Sequence, residues 1–156
     1  MKFKRNDEGA VIGLPFQLLV TMLVVAMTAS LTYYGFMNLK NGYVDSDTKG
    51  QFEIINQNAR DAYHSGSGTR LIISISFKSG LEYVKIGGKI NEVQFKYKMS
   101  GQNEKIYPSD ENFPIICTKE GPNGILTLGP GPSSYTLFIK HVIDDKNNDY
   151  IDIGKL

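Results

Sequence analysis

The stretch that decides the fold is AVIGLPFQLLVTMLVVAMTASL, residues 10–31 of a chain of 156 residues. It contains no charged side chain, and the uncharged region extends from Gly9 to Leu39. These 22 residues would span about 33 Å as an α-helix, and a bilayer core is about 30 Å thick. Pro15 lies near the start of the stretch, where a proline disturbs a helix least. The stretch therefore predicts a membrane helix, because too little chain remains to bury it in a soluble core.

The nine residues ahead of this helix read MKFKRNDEG. They carry three cations, at Lys2, Lys4 and Arg5, and two acids, at Asp7 and Glu8. Cations before an apolar helix hold that end in the cytoplasm and send the following chain outward. We therefore expect the residues after the helix to be extracellular.

Three interpretations of the segment compete. In the first it is a secretory signal cut near Thr28-Ala29-Ser30, although the apolar run exceeds the usual core of about 7–15 residues. In the second it is a plain anchor that remains in the bilayer. In the third the chain is cut between Gly9 and Ala10, directly ahead of the apolar run, and the helix stays on the mature protein.

The third interpretation depends on a short motif: an acidic residue, Glu8, then Gly9, then Ala10 and the apolar run. This order resembles the class III signal of archaeal type IV pilins, over roughly the first 30 residues. The resemblance implies that a prepilin peptidase removes residues 1–9 as a leader. Leu14 would then be the fifth mature residue, where bacterial pilins usually carry Glu and archaeal relatives generally lack it.

The resemblance also implies a function. The chain would be a major or minor structural subunit of an archaeal type IV pilus-like filament, held in the membrane as a precursor and then located at the cell surface. Its partners would be copies of itself, the prepilin peptidase, the pilus assembly platform and, before assembly, the membrane. The filament-core positions would be Leu14, Pro15, Leu18, Leu19, Leu23, Val24 and Met27.

A different class of function fits the same layout. The chain would then be a monomeric, membrane-anchored extracellular β-domain that binds a ligand or another surface protein. The sequence leaves the adhesion target open under either hypothesis. A net charge of +1 gives no long-range field to recruit nucleic acid, so no nucleic-acid partner is predicted.

The region after the apolar run mixes aromatic residues with glycines. Tyr33, Tyr34, Phe36 and Tyr43 suit either a membrane-interface belt or packing between neighbouring helices. Each interspersed glycine weakens a helix by about 1 kcal/mol relative to Ala, so a partly melted stretch is expected here. A second helical stretch, capped by Asp47 or Thr48, is then predicted to continue to about His64. Its apolar stripe is Phe52, Ile55, Ala59 and Ala62.

The rest of the chain is predicted to form strands separated by Gly, Pro, Asn and Asp clusters. The fold class is α+β: a long N-terminal helix over residues 10–64, then an antiparallel sheet or sandwich head over residues 65–156. A head substitution such as Lys105→Glu is expected to affect assembly far less than a charge in the apolar helix, because exposed charge pairs contribute only about 0–1 kcal/mol. The predicted strands are residues 71–77, 81–86, 93–99, 115–118, 125–128, 135–143 and 150–153.

Residues that carry chemistry are scarce. One cysteine and two histidines cannot form a disulfide framework or a His-based metal triad within the chain. No nucleophile elbow, phosphate-binding loop or zinc-protease motif occurs, so an enzyme is not predicted. We expect His64 at a helix end and His141 in a strand to be structural or solvated, and Cys117 to be a buried, inert thiol.

One acidic cluster offers a metal hypothesis. Asp145, Asn147 and Asp149 keep the alternate spacing of the first oxygen ligands in an EF-hand-type calcium loop. Tyr150 replaces the usual Gly, and Leu156 stands where a carboxylate is needed, although Asp152 is a substitute ligand. The competing interpretation is an Asx-rich turn between two strands. No cofactor is predicted, and calcium at this cluster is the alternative.

Overall fold

The computed structural model describes residues 8–88, 94–107, 116–118 and 124–156, with side chains from residue 15 onward. A 57-residue helix, α1 (Glu8–His64), precedes all of the strands. The strands are β1 (Arg70–Phe77), β2 (Leu81–Gly87), β3 (Phe95–Met99), β4 (Lys105–Tyr107), β5 (Ile116–Cys117), β6 (Ile125–Leu128), β7 (Ser133–Ile143) and β8 (Asp149–Lys155).

The strands form two four-stranded sheets. Sheet A has the order β1-β7-β8-β5, and sheet B has the order β4-β3-β2-β6. The predicted α+β class, with a long N-terminal helix followed by antiparallel-rich sheets, is confirmed. One pair departs from the antiparallel expectation, because β5 runs parallel to β8, with Ile116 opposite Ile151. No hairpin joins these two strands, so no tight turn dictates their relative direction.

Strand β4 was not among the predicted strands. It has only three residues, too few for an alternating pattern to be seen, and pairs with β3. The predicted strand over residues 125–128 matches β6, while β7 begins two residues earlier than predicted. Residue 93 of one predicted strand and residue 115 of another lie outside the described residues.

Contacts divide the chain into two compact units, residues 1–40 and residues 41–156. The predicted division after His64 followed secondary structure, whereas the contacts place the last part of α1 with the sheets. Val44, Phe52, Ile55, Ala59 and Ala62 of the helix are all buried in the core of the second unit. Their spacing puts them on one helix face, and this face belongs to the same core as the buried sheet residues.

The inner faces of both sheets complete that core. Alternate residues are buried along β3 and most of β7, as the period of two requires, whereas residues 151–154 of β8 are all buried. Two side chains of α1 outside the core hydrogen-bond to edge strands. Gln51 Oε1 accepts from the Ser76 backbone N–H of β1 at 3.2 Å. Glu53 Oε2 accepts from the Tyr107 hydroxyl of β4 at 2.9 Å. The buried sheet residues are Ile75, Phe77, Leu81, Val84, Ile86, Phe95, Tyr97, Met99, Ile116, Leu126, Leu128, Leu137, Ile139, Ile151 and Ile153.

Helix α1 is continuous where an interruption was expected. The glycines at 35, 42 and 50 all lie within it, and the predicted melted stretch is not observed. The predicted N-cap at Asp47 or Thr48 is also wrong, because both residues lie inside the helix. Thr48 is buried, and its hydroxyl donates to the Val44 carbonyl at 2.8 Å, which satisfies the group within the helix. Pro15 stands inside the helix rather than in its first turn.

The loop Gly129–Pro132 packs tightly on the turn between β1 and β2. The Gly131 N–H donates to the Leu81 carbonyl at 2.9 Å. Gly129 has a φ of 136°, and a Cβ there would lie 2.7 Å from the Glu82 carbonyl oxygen. A side chain at Gly131 would meet the Lys78 carbonyl oxygen. Only glycine allows the two backbones to approach this closely.

Candidate functional site

The apolar part of α1 has the largest exposed hydrophobic surface among the described residues. Every side chain from Pro15 to Phe36 is exposed, including Phe16 at 70%, Met22 at 70% and Leu31 at 72%. The helix is long and apolar enough to span a membrane, a property that a signal sequence can share. Such a surface in a soluble protein would be far larger than a typical apolar patch.

The threonine and serine hydroxyl groups in this part of the helix are satisfied within it. The hydroxyl of Thr21 donates to the Gln17 carbonyl, and that of Thr32 donates to the Thr28 carbonyl, each at 2.8 Å. Thr28 and Ser30 make the same kind of bond to carbonyls one turn back. A hydroxyl paired in this way needs no water, so it costs little in an apolar surrounding.

The predicted filament-core residues lie on this surface. Leu18, Leu19, Leu23, Val24 and Met27 are each between 50% and 62% exposed. Pro15 is also exposed. Gly9, Ala10 and Leu14 belong to the helix, but only their backbone is described. The leader before Glu8 lies outside the described residues. The residues predicted from the sequence for filament contact are therefore available on the helix surface wherever they are described.

The calcium candidates surround a turn between β7 and β8. The turn is organised by Asp144, which accepts from the backbone N–H groups of Lys146 and Asn148 at 2.8 Å each. The side-chain amide of Asn148 donates to Asp144 Oδ2 at 2.8 Å, and this bond, followed by the backbone bonds, holds the pKa of Asp144 below its ordinary value. Asn147 has a φ of 61°, a left-handed conformation that Asn tolerates better than most residues. This is the Asx-rich turn that was predicted as the alternative to a calcium loop.

The candidate ligands do not converge in this turn. Asp149 Oδ1 lies 2.6 Å from His141 Nε2, and Asp152 is buried in β8 with 7% exposure. Within the described part of the chain, no three His, Cys, Asp or Glu side chains lie close enough to hold a metal ion.

His141 belongs to a cluster that the sequence did not reveal. Its ring is buried and lies 4.8 Å, centroid to centroid, from the ring of Tyr63 at the end of α1. A hydrogen bond from the Tyr63 hydroxyl to Asp149 raises the pKa of Tyr63. The expectation of a structural role for His141 agrees with this position, because the cluster joins the end of α1 to sheet A. His64 is the last residue of α1, as predicted.

A second cluster fixes α1 to sheet B. Asp45 Oδ1 accepts from the Tyr97 hydroxyl at 2.8 Å and from Lys105 Nζ at 2.7 Å, and Asp45 Oδ2 lies 2.7 Å from Lys49 Nζ. Burial opposes ionisation of Asp45, but the bonds from Lys105, Lys49 and Tyr97 outweigh it and lower its pKa to about 2. Burial and Asp45 together raise the pKa of Tyr97. Lys105 is 40% exposed, as expected of a surface charge, while its partner carboxylate is 17% exposed; its energetic contribution stays a prediction.

Cys117 is half-buried rather than buried, and its Sγ donates to the Gly88 carbonyl at 3.4 Å. Burial and the nearby Asp152 carboxylate both raise the pKa of this thiol. A thiol with a raised pKa forms little thiolate, so its environment does not activate it as a nucleophile.

Comparison of the chain with known protein families, with curated proteins and with solved structures found no match in any of the three. The candidate functional site is therefore defined by the geometry alone: an exposed apolar helix surface ahead of a separately packed β-rich unit.

Proposed function

We propose that this chain is a structural subunit, major or minor, of an archaeal type IV pilus-like surface filament. The observation that carries the proposal is the exposed apolar surface of α1 between Pro15 and Leu39, which has its threonine and serine hydroxyl groups satisfied internally. Such a surface can lie in lipid before assembly and against other helices afterwards, because both surroundings are apolar. The role needs no catalytic residue and no cofactor.

The packing of the second unit supports the same proposal. The buried core of residues 41–156 consists of one face of the helix and one face of each sheet, all from within this unit. The apolar part is thus available for another molecule. Repetition of one such contact from subunit to subunit gives an open helical filament when the operation does not close.

In this proposal the bond between Gly9 and Ala10 is the processing site, cut by a prepilin peptidase before an assembly platform extracts the subunit from the membrane. Intact-mass measurement on the protein from its native host tests this step. A mature chain that begins at Ala10 supports it. A chain that begins at Met1 favours a plain anchor, and one that begins near Ser30 or Leu31 favours a secretory signal.

The second candidate function is a monomeric, membrane-anchored β-domain that binds a ligand or surface protein. It is favoured by the same self-contained unit, which needs no neighbouring copy to bury its core. Expression beside a matching assembly platform, followed by electron microscopy of the cell surface, separates the two. Filaments from the parent chain support the subunit, and their absence from the parent chain favours the anchored domain.

A further inference from the structure

We propose that the outer edge of β1 pairs with β1 of a second copy, in antiparallel orientation about a two-fold axis at Ile72. This contact, here called the β1 edge pair, joins sheet A of one copy to sheet A of the other. The inference goes beyond the proposed function. It requires two copies anchored in one membrane, which either candidate function supplies, and it requires no filament.

Strand β1 has the longest edge among the described strands that end a sheet. These strands are β1 and β5 in sheet A and β4 and β6 in sheet B. Strand β1 has eight residues, whereas β4 has three, β5 has two and β6 has four. A sheet edge presents backbone donors and acceptors that another extended strand can bind. The edge of β1 is therefore the best place on the β-rich unit for such a strand.

Hydrogen bonds at both ends of β1 show which of its backbone groups face outward. The His141 N–H of β7 donates to the carbonyl of Thr69, which directly precedes β1, at 3.0 Å. Bonded residues alternate along an antiparallel pair, so every second residue from Thr69 onward bonds to β7. The Ser76 N–H points away from β7, to Gln51 Oε1, as this alternation requires. The outward groups of β1 thus belong to residues 70, 72, 74 and 76.

Helix α1 closes one end of this edge and leaves the rest open. Gln51 already occupies the outward N–H of Ser76. In the part of the chain that the structure describes, no group bonds to the outward N–H groups of Arg70, Ile72 and Ser74. Proteins usually protect an edge strand along its length, because open backbone groups bind other strands. In this structure the protection stops at Ser76.

The closed end and the cation at Arg70 select one register for the pair. Pairing about Ile72 places Arg70 opposite Ser74 of the second copy and uses the open groups without Ser76. Centring on Arg70 would oppose the two arginines, and like charges directly opposite destabilise a strand pair. Centring on residue 71 would leave Ser74 opposite residue 68, outside the strand. Centring beyond Ile72 would need the Ser76 N–H, which Gln51 holds.

The same register joins the apolar side chains on the outer face of sheet A. Ile72 is 63% exposed and lies opposite Phe138 of β7. In the edge pair Ile72 also lies opposite Ile72 of the second copy, so one apolar row crosses both sheets from Phe138 to Phe138. Cross-strand pairs of this kind stabilise adjacent strands. Arg70 Cζ lies 4.9 Å from the centroid of the Phe138 ring, which holds this cation over its own sheet.

The small size of the contact also favours a second copy as the occupant. Three open residues bury far less than a standard interface, so the occupant must be held nearby. Every copy carries a helix long and apolar enough to span a membrane, and anchoring in one membrane raises the effective concentration of the copies. A two-fold contact closes on two copies, so the edge pair is distinct from the repeating contact of a filament.

Disulfide cross-linking of the full chain in phosphatidylcholine vesicles tests the edge pair. In a Cys117→Ser background, Ile72→Cys places a thiol at the proposed axis, where the two Cα atoms would be about 5.5 Å apart, a separation that a disulfide spans. The matched control is Ile106→Cys in the edge strand β4, because Ile106 is 56% exposed. After brief oxidation with copper phenanthroline, we expect about fivefold more covalent dimer from Ile72→Cys.

Both variants carry the same membrane helix, so random collision in the bilayer contributes equally to both yields. Equal yields, or a higher yield from Ile106→Cys, would therefore overturn the edge pair. The absence of dimer from both variants would overturn it too, and would leave the edge to an extended segment of another protein.

Substitutions at Ser74 test the register of the pair in the Ile72→Cys chain. Ser74→Lys places a cation opposite Arg70 of the second copy and should reduce the dimer yield about threefold, whereas Ser74→Glu should increase it. The matched control is Ser76→Lys, on the same strand and face but outside the pair, which should leave the yield unchanged. Equal effects of the two lysines, or no difference between lysine and glutamate at residue 74, would contradict the register.

The edge pair and the filament can fail separately. Edge-specific cross-linking in vesicles, without filaments beside a matching assembly platform, would retain the edge pair and reject the filament function. Filaments from the parent chain, with equal cross-linking of the Ile72→Cys and Ile106→Cys variants, would retain the filament and reject the edge pair.

Discussion

The two parts of helix α1 contrast sharply although they belong to one continuous element. From Pro15 to Leu39 the residues are almost all apolar, and nearly all of their side chains are exposed. From Asn41 to His64 the helix is amphipathic, and one face lies in the core of the β-rich unit. The comparison shows that helix formation and burial are decided separately. The upstream part is suited to an apolar environment outside the chain, while the downstream part uses its apolar residues for its own fold.

The largest expected difference between the two parts is in the free energy of unfolding, when one phenylalanine of each part is replaced by alanine. Phe52 is fully buried against the rings of Phe77, Phe95 and Tyr97, so Phe52→Ala should lower the free energy of unfolding by about 3–5 kcal/mol. Phe36 is 64% exposed, and Phe36→Ala should change it by less than about 0.5 kcal/mol. Urea unfolding of the detergent-solubilised chain, followed by near-ultraviolet circular dichroism, measures both. Similar losses from the two variants would remove the distinction between the parts.

An added lysine should impair membrane insertion when it is placed in the upstream part of α1 and not when it is placed in the downstream part. Val20→Lys puts a cation in the middle of the apolar stretch, which costs about 2.5–3.5 kcal/mol on membrane-insertion scales. Ser46→Lys, on the exposed face of the downstream part, should leave insertion unchanged. The fraction of chain that resists alkaline extraction from membranes measures the effect. If Val20→Lys inserts as well as Ser46→Lys does, the upstream part does not lie in the bilayer.

The downstream part also depends on one ionised group. The pKa of Asp45 is lowered from 3.8 to about 2, so its stabilisation is complete above about pH 4 and is lost as the pH falls towards 2. We expect this carboxylate to contribute about 1–2 kcal/mol. Unfolding measured between pH 5 and pH 2 should show a shallower decline for Asp45→Asn than for the parent chain. Parallel declines in the two proteins would show that Asp45 does not carry this pH dependence.

The smallest expected effect on the unfolding free energy comes from replacing one helix glycine of each part with alanine. Gly50→Ala replaces a helix-interior glycine at which an added Cβ meets nothing within 4 Å. It should raise the unfolding free energy of the β-rich unit by about 0.5–1 kcal/mol. Gly35→Ala gains the same local helix propensity, but in the upstream part, and should leave that unfolding free energy unchanged. The urea midpoint of unfolding measures the effect of each substitution. A matching increase from Gly35→Ala would show that the two units unfold as one.

Local pattern was sufficient for the strands with clear alternation. Residues 125–128 were predicted as a strand and form β6, and β1 begins one residue before its predicted start. The same reasoning was insufficient for β4, because three residues provide no period, and for the direction of β5, because no tight turn connects it to its neighbour β8. It also failed at Thr48, where a residue typical of a cap lies in the middle of a helix stabilised by packing.

The candidate site likewise has features that could be predicted from the sequence and features that could not. The apolar surface of α1 could be predicted because it follows from the order of residues in one segment, and its exposed side chains are those that the sequence indicates. The cluster around Asp45 could not be predicted, because Tyr97 and Lys105 are 52 and 60 residues away along the chain. The cluster of Tyr63, His141 and Asp149 likewise joins α1 to two strands of sheet A.

The sequence by itself determined the long uncharged helix, its length relative to a bilayer, the helical face of the downstream part and most of the strands. These features follow from local spacing of apolar residues, because backbone geometry fixes which side chains share a face. Only the tertiary structure decided that the helix is continuous through its glycines, that Val44 to Ala62 belong to the β-rich core, and that Asp45 is held ionised. The burial of Val44 to Ala62 and the ionisation of Asp45 depend on contacts between distant parts of the chain, whose packing energy exceeds the small preferences of single residues.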